Sequence, residues 1–202
     1  MWNWLQQNSS VLSVIVNLGL LGVWAFYLNL FVRGYRRERR CKILISLGGQ
    51  QDLGARCLVT NMSAEPVYVE NVTATVSTDE EQWSCSISEY GWSSDDDPPA
   101  RPEYRTRQGP LLSGQWRDIG SITDVLERAR DMLGETRPAG VDDRPLEVEL
   151  TVIAIYGSED LPVGARRRFS VISDGAGWRV SPSSGDTEQI RSKRARRQLQ
   201  DG

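Results

Sequence analysis

Four groups of side chains have types and spacings that could do chemistry. Asp95, Asp96 and Asp97 stand together and offer the oxygen ligands that a hard cation takes. Three adjacent carboxylates in a proline-rich stretch read equally well as a solvated acidic patch. Glu147 and Glu149 are two apart in a strand-like segment, so both carboxyls fall on one face about 7 Å apart. A carboxylate pair can use that separation, although alternating surface glutamates produce it without catalysis. Arg166, Arg167 and Arg168 lead into an apolar strand and put at least one guanidinium on each of its faces. That pattern suits the edge or rim of a sheet, where the arginines bind an acidic partner segment, the chain's own Asp95–Asp97 loop, or water alone. Cys41, Cys57 and Cys85 are odd in number and form no CxxC pair, which indicates neither a disulfide framework nor a zinc site.

The chain has no histidine. Ser-His-Asp and Cys-His nucleophile systems are therefore excluded within this polypeptide, as are His-containing zinc sites. The Gly48–Gly54 stretch, GGQQDLG, lacks the Lys-Ser/Thr ending of a phosphate loop and sits between strand-like segments, so it reads as a turn. These residues lead us to expect a protein without catalysis, cofactor, metal or small-molecule substrate.

The elements that must position these groups begin with an anchor. After a short N-terminus (1–10), residues 11–32 (VLSVIVNLGLLGVWAFYLNLFV) carry no charge. At about 1.5 Å per residue they reach roughly 33 Å, enough to cross a hydrocarbon core of about 30 Å. A cleavable signal would have a shorter apolar region, basic residues before it and small residues after it. Here the basic collar 33–42, with Arg33, Arg36, Arg37, Arg39, Arg40 and Lys42, follows the span. By the positive-inside rule the N-terminus lies outside and the remainder in the cytoplasm. A reducing compartment agrees with the unpaired cysteines. The expected location is a prokaryotic inner membrane, with the collar against the anionic lipids of its inner leaflet. Asn17, Gly19, Gly22 and Asn29 interrupt the apolar run. Amides seek partners in hydrocarbon and small residues allow close approach, so these four are the candidates for helix–helix contact, with another protein or with a second copy.

From Lys42 onward the dominant period is two, the signature of strands. Ile43, Ile45 and Leu47 alternate, as do Trp83, Cys85 and Ile87, and the long series Leu146 to Tyr156 gains apolar residues on both faces as a central strand does. Between Pro66 and Ser77 the register switches: Val67 and Val69 are odd, whereas Val72, Ala74 and Val76 are even. One face stays apolar only if a β-bulge falls near Glu70–Asn71. A single strand is expected over 111–119, and residues 91–110 read as an exposed loop. Residues 122–133 form a helix that Ser121 can cap, with Ile122, Val125, Leu126, Ala129, Met132 and Leu133 on one stripe.

Seven or eight short strands and one short helix over residues 43–182 predict a mainly-β domain, an antiparallel β-sandwich of immunoglobulin-like type, with an α+β sheet as the alternative. The Cys and Trp spacing of a true immunoglobulin domain is absent. Residues 183–202 read as a basic tail without fixed structure. The collar's six bases and the five of RSKRARR (191–197) leave 13 bases against 26 acids elsewhere, and an acidic body makes a poor nucleic-acid surface. The expected function is a membrane-anchored interaction or assembly module. An oligomerising membrane effector or sensor is the alternative, and a carboxylate-dependent enzyme a third.

Overall fold

A computed structural model describes residues 9–38, 41–78, 81–88, 106–133, 145–157, 159–173, 175 and 177–199. The chain divides into two units, Met1–Arg40 and Cys41–Gly202. The first contains helix α1, Ser9–Glu38. Its segment Ser10–Tyr35 is long and apolar enough to cross a membrane, and nothing within the unit covers it.

The second unit is mainly β, and all its strand pairs are antiparallel among the described residues. Strands β1 (Ile43–Gly48), β2 (Arg56–Asn61) and β6 (Trp116–Ser121) form one sheet in the order β1-β2-β6. The larger sheet runs β10-β8-β7-β3-β4, with β10 at Glu188–Ile190, β8 at Val163–Ser173, β7 at Leu146–Tyr156, β3 at Val67–Ser77 and β4 at Gln82–Ser86. Strand β5 (Gly109–Leu111) pairs with the start of β3, and β9 (Trp178–Pro182) with the end of β8. The single strand expected over 111–119 is therefore two short strands, separated by a turn at Leu112–Gln115 in which Gly114 takes a positive φ of 74°.

Alternation explains which faces are buried. Ile43 and Ile45 of β1, Cys57 and Val59 of β2, Leu146 to Tyr156 on even positions of β7, and Phe169 and Val171 of β8 all point into one continuous core. Removing a side chain such as Leu150 or Phe169 from water contributes about 1.5–3 kcal/mol. Helix α2 (Ile122–Leu133) closes one flank against β3, β4 and β6, burying Ile122, Val125, Leu126 and Ala129. Its start is doubly capped: the Asp124 amide donates to Ser121 Oγ at 3.1 Å, and the Ser121 amide donates to Asp124 Oδ2 at 2.7 Å.

The switch of register in β3 is a bulge. Val69 pairs with Ala154 and Asn71 with Ile153, which leaves Glu70 as the extra residue. Val67 and Val69 before it, and Val72, Ala74 and Val76 after it, all remain on the core face.

The C-terminal segment departs from expectation. Residues 183–199 are an integral part of the domain. β10 pairs with β8 through Glu188↔Arg166 to Ile190↔Gly164, and helix α3 follows at Lys193–Gln198, capped by the Ser192 hydroxyl. Composition misleads here because the segment is held by a few specific polar contacts. The Ile43 amide donates to Gln189 Oε1 at 3.1 Å, and Gln189 Nε2 donates back to the Ile43 carbonyl at 2.6 Å. The Ile45 amide donates to Thr187 Oγ1 at 3.0 Å, and that hydroxyl donates to the Ile45 carbonyl at 3.1 Å. Side chains thus occupy the backbone groups that an edge strand otherwise leaves open.

Candidate interaction surface

The outer face of the large sheet is polar and largely hydroxylated. Thr73, Thr75 and Ser77 of β3 stand beside Ser84 and Ser86 of β4, while Thr151 of β7 faces Arg166 of β8. Glu147 and Glu149 share this face as their spacing requires, but Glu149 is not free to work as half of a catalytic pair. Arg168 Nε donates to its Oε2 at 2.6 Å, and this bond holds the Arg168 guanidinium above its ordinary pKa.

The three arginines are not at an edge. β8 lies inside the sheet, between β7 on one side and β9 and β10 on the other. Arg166 makes a two-pronged ion pair with Glu188 of β10, at 2.9 and 3.0 Å. That pair lowers the Glu188 carboxyl below its usual value and raises Arg166. Arg167 lies on the opposite face, its guanidinium 5.7 Å from the Phe169 ring centroid, and donates to the Ile45 carbonyl at 2.5 Å. Their acidic partners are therefore Glu188 and Glu149 of the chain itself, and one arginine stitches β8 to β1. The Asp95–Asp97 loop lies outside the described residues.

The bulge organises a depression on this outer face, an open groove of about 430 Å³. Ile153, Ile155, Leu161 and Leu199 give it apolar walls, and Glu70 and Asp160 add carboxylates. Asn71, displaced by the bulge, accepts from Ser86 Oγ and Ser88 Oγ through its Oδ1, both at 2.8 Å. Ser88 in turn accepts from the Val72 amide at 2.6 Å, so the sheet is tied down where the ladder is interrupted. Opposite, Arg196 of α3 donates to the Pro162 carbonyl at 2.8 Å, to the Leu161 carbonyl and to Glu159 Oε2 at 3.1 Å. Leu199 packs over Gly164, where a Cβ would stand only 2.7 Å from Leu199 Cδ1. Sequence reasoning missed Asn71, Arg196 and Leu199 as neighbours. Asn71 could have been found from the register switch, but nothing local marks the other two.

Of the collar residues, Arg33 is exposed on α1 and Lys42 is exposed at the start of the second unit; Arg36 and Arg37 continue the helix, and Arg39 and Arg40 lie outside the described residues. Asn17, Gly19, Gly22 and Asn29 are all exposed on α1, and a Cβ at either glycine would meet nothing within 4 Å. The cysteines are free. Burial, with Asp118 next in importance, pushes the Cys57 thiol up to about 12, and burial also raises Cys41 and Cys85. No cluster of three or more His, Cys, Asp or Glu that could hold a metal occurs among the described residues. Compared with protein-family models, with curated proteins and with solved structures, the chain gives no match.

Proposed function

We propose that this chain is a single-pass membrane protein that presents a non-catalytic β-sandwich of immunoglobulin-like type to the cytoplasm as a protein-interaction or assembly module. The observation that carries the reading is α1, whose Leu, Ile, Val, Phe and Trp side chains are exposed on every side of the helix. A helix apolar all round needs lipid or protein around it. The basic collar at its C-terminal end supports a cytoplasmic domain in a prokaryotic inner membrane. The strand order supports the sandwich: β1-β2-β6 beside β4-β3-β7-β8 is the order A-B-E beside C′-C-F-G.

The groove beside Glu70 suits a partner segment with an apolar side chain next to a base, because Ile153, Ile155 and Leu161 adjoin Glu70 and Asp160. Carbonate washing tests the anchor: the chain stays with the membrane pellet. Affinity capture from mild detergent tests the module, and Ile155→Glu with Glu70→Lys should lose the protein that the native chain recovers. Recovery of neither a partner nor a second copy overturns the reading. Self-association through the span draws on Asn17 and Gly19, and Asn17→Leu with Gly19→Leu should then remove cross-linked oligomers.

A further inference from the structure

Among the described residues of the second unit, exposed apolar side chains are unevenly distributed: the large ones are Met62, Tyr68, Leu112, Trp116, Ile155 and Ile172. The first five lie at the end of the domain where the chain comes in at Cys41. Ile43 pairs with Asn61, the Met62 amide donates to the Lys42 carbonyl at 2.8 Å, and the Gly114 amide donates to the Asn61 carbonyl at 2.8 Å. Trp116 pairs with Thr60 at the last rungs of β2, and Tyr68 pairs with Ile155 one rung from the start of β3. Ile172 alone stands toward the far end of β8, opposite Arg179.

The basic helix α3 occupies the same end. Arg196, whose side chain is 11% exposed, clamps it to the β7–β8 turn through Glu159, Leu161 and Pro162. Both Arg196 and Glu159 are close enough to Cys41 to act on its thiol. With Arg196 turned inward, Lys193, Arg194 and Arg197 are exposed, as are Arg191 and Lys42. Among the described residues the acids of this end are Glu65, Glu70, Glu159 and Asp160, and Glu159 is taken up by Arg196. An exposed tryptophan and aliphatic side chains beside a cluster of bases have the composition of a surface that enters the headgroup layer of an anionic bilayer.

The geometry points to the Cys41 end of the β domain as a lipid-docking surface, in which Met62, Leu112 and Trp116 enter the headgroup layer and the outward bases of α3 bind anionic headgroups. The occupant is the bilayer that α1 enters, since the polypeptide reaches this end directly from the basic collar. The inference rests on the anchored reading above and adds to it which end of the β domain meets lipid.

The test uses the full chain in lipid nanodiscs, with a diazirine side chain at position 112 or 116 and, as control, at 172. With about one third phosphatidylserine, positions 112 and 116 should give about tenfold more lipid adduct than 172, and Lys193→Glu/Arg194→Glu/Arg197→Glu should remove most of that excess. Discs of phosphatidylcholine alone should do the same. Circular dichroism of the triple variant checks that the fold is intact. Lipid labelling at 112 and 116 no higher than at 172 overturns the inference, and so do adducts with protein, whether a partner or a second copy. A chain that resists carbonate yet labels no lipid at 112 and 116 sinks the docking surface and leaves the anchor standing. A chain extracted by carbonate sinks both.

Discussion

At the scale of single residues, polar side chains here act mainly as structural ties. Asn61 is fully buried, yet its amide donates to the carbonyls of Glu65 and Leu111 and its oxygen accepts from the Ser63 amide, so its polar groups are matched. Cys57 shows what burial does to a titratable group. Its thiol ordinarily ionises near 9 and is held to about 12 in the fold, so at neutral pH it is protonated and inert. A maleimide reagent at pH 7.5 should leave Cys57 unmodified in the native protein and modify it in urea. The sign for stability follows from the direction of the shift. A raised thiol contributes fully below pH 9 and loses that contribution as the pH climbs toward 12, because the unfolded chain then releases a proton that the fold retains. Urea midpoints should fall across that window, and Cys57→Ser should flatten the dependence.

At the scale of elements, two devices carry most of the specificity. The first is the bulge in β3. Deleting Glu70 would make the strand alternate without interruption, keeping Val67, Val69, Val72, Ala74 and Val76 on the core face and pairing β3 with β7 in a single register. That deletion should fold with a stability change of about 1 kcal/mol or less, whereas deletion of Thr73 turns Ala74 and Val76 outward and should not fold. Soluble yield and urea melts decide the matter. A tolerated Glu70 deletion that loses the captured partner would mean the bulge serves the groove and not the fold. The second device is the cover on β1. Gln189→Ala strips both partners from the Ile43 backbone, at a cost of about 1–2 kcal/mol. In a domain of this size that should lower the Tm by about 2–8 °C. An unchanged Tm would show that water replaces the cover.

At the scale of the whole molecule, the β domain has one core that both sheets and α2 share. Its elements should therefore unfold together. Ile45→Ala in the small sheet and Leu150→Ala in the large sheet should each cost about 2–5 kcal/mol. Tryptophan fluorescence and backbone circular dichroism should give coincident transitions in both variants. Separate transitions would mean that the sheets are independently stable.

Local pattern alone determined much of this protein. The uncharged run from 11 to 32, the two-residue alternation of the strands, the helix at 122–133 and the bulge beside Glu70 are all legible, because side-chain periodicity follows directly from backbone geometry. Only the tertiary structure decided which strands neighbour which. It placed β8 in the interior, so that Arg166 and Arg168 meet Glu188 and Glu149 and Arg167 reaches Ile45. It also turned a basic, apparently unstructured tail into β10 and α3, held by Thr187, Gln189 and Arg196. Those contacts join residues up to 146 positions apart. Composition cannot reveal them, since a polar side chain reads the same whether it meets water or the open edge of a distant strand.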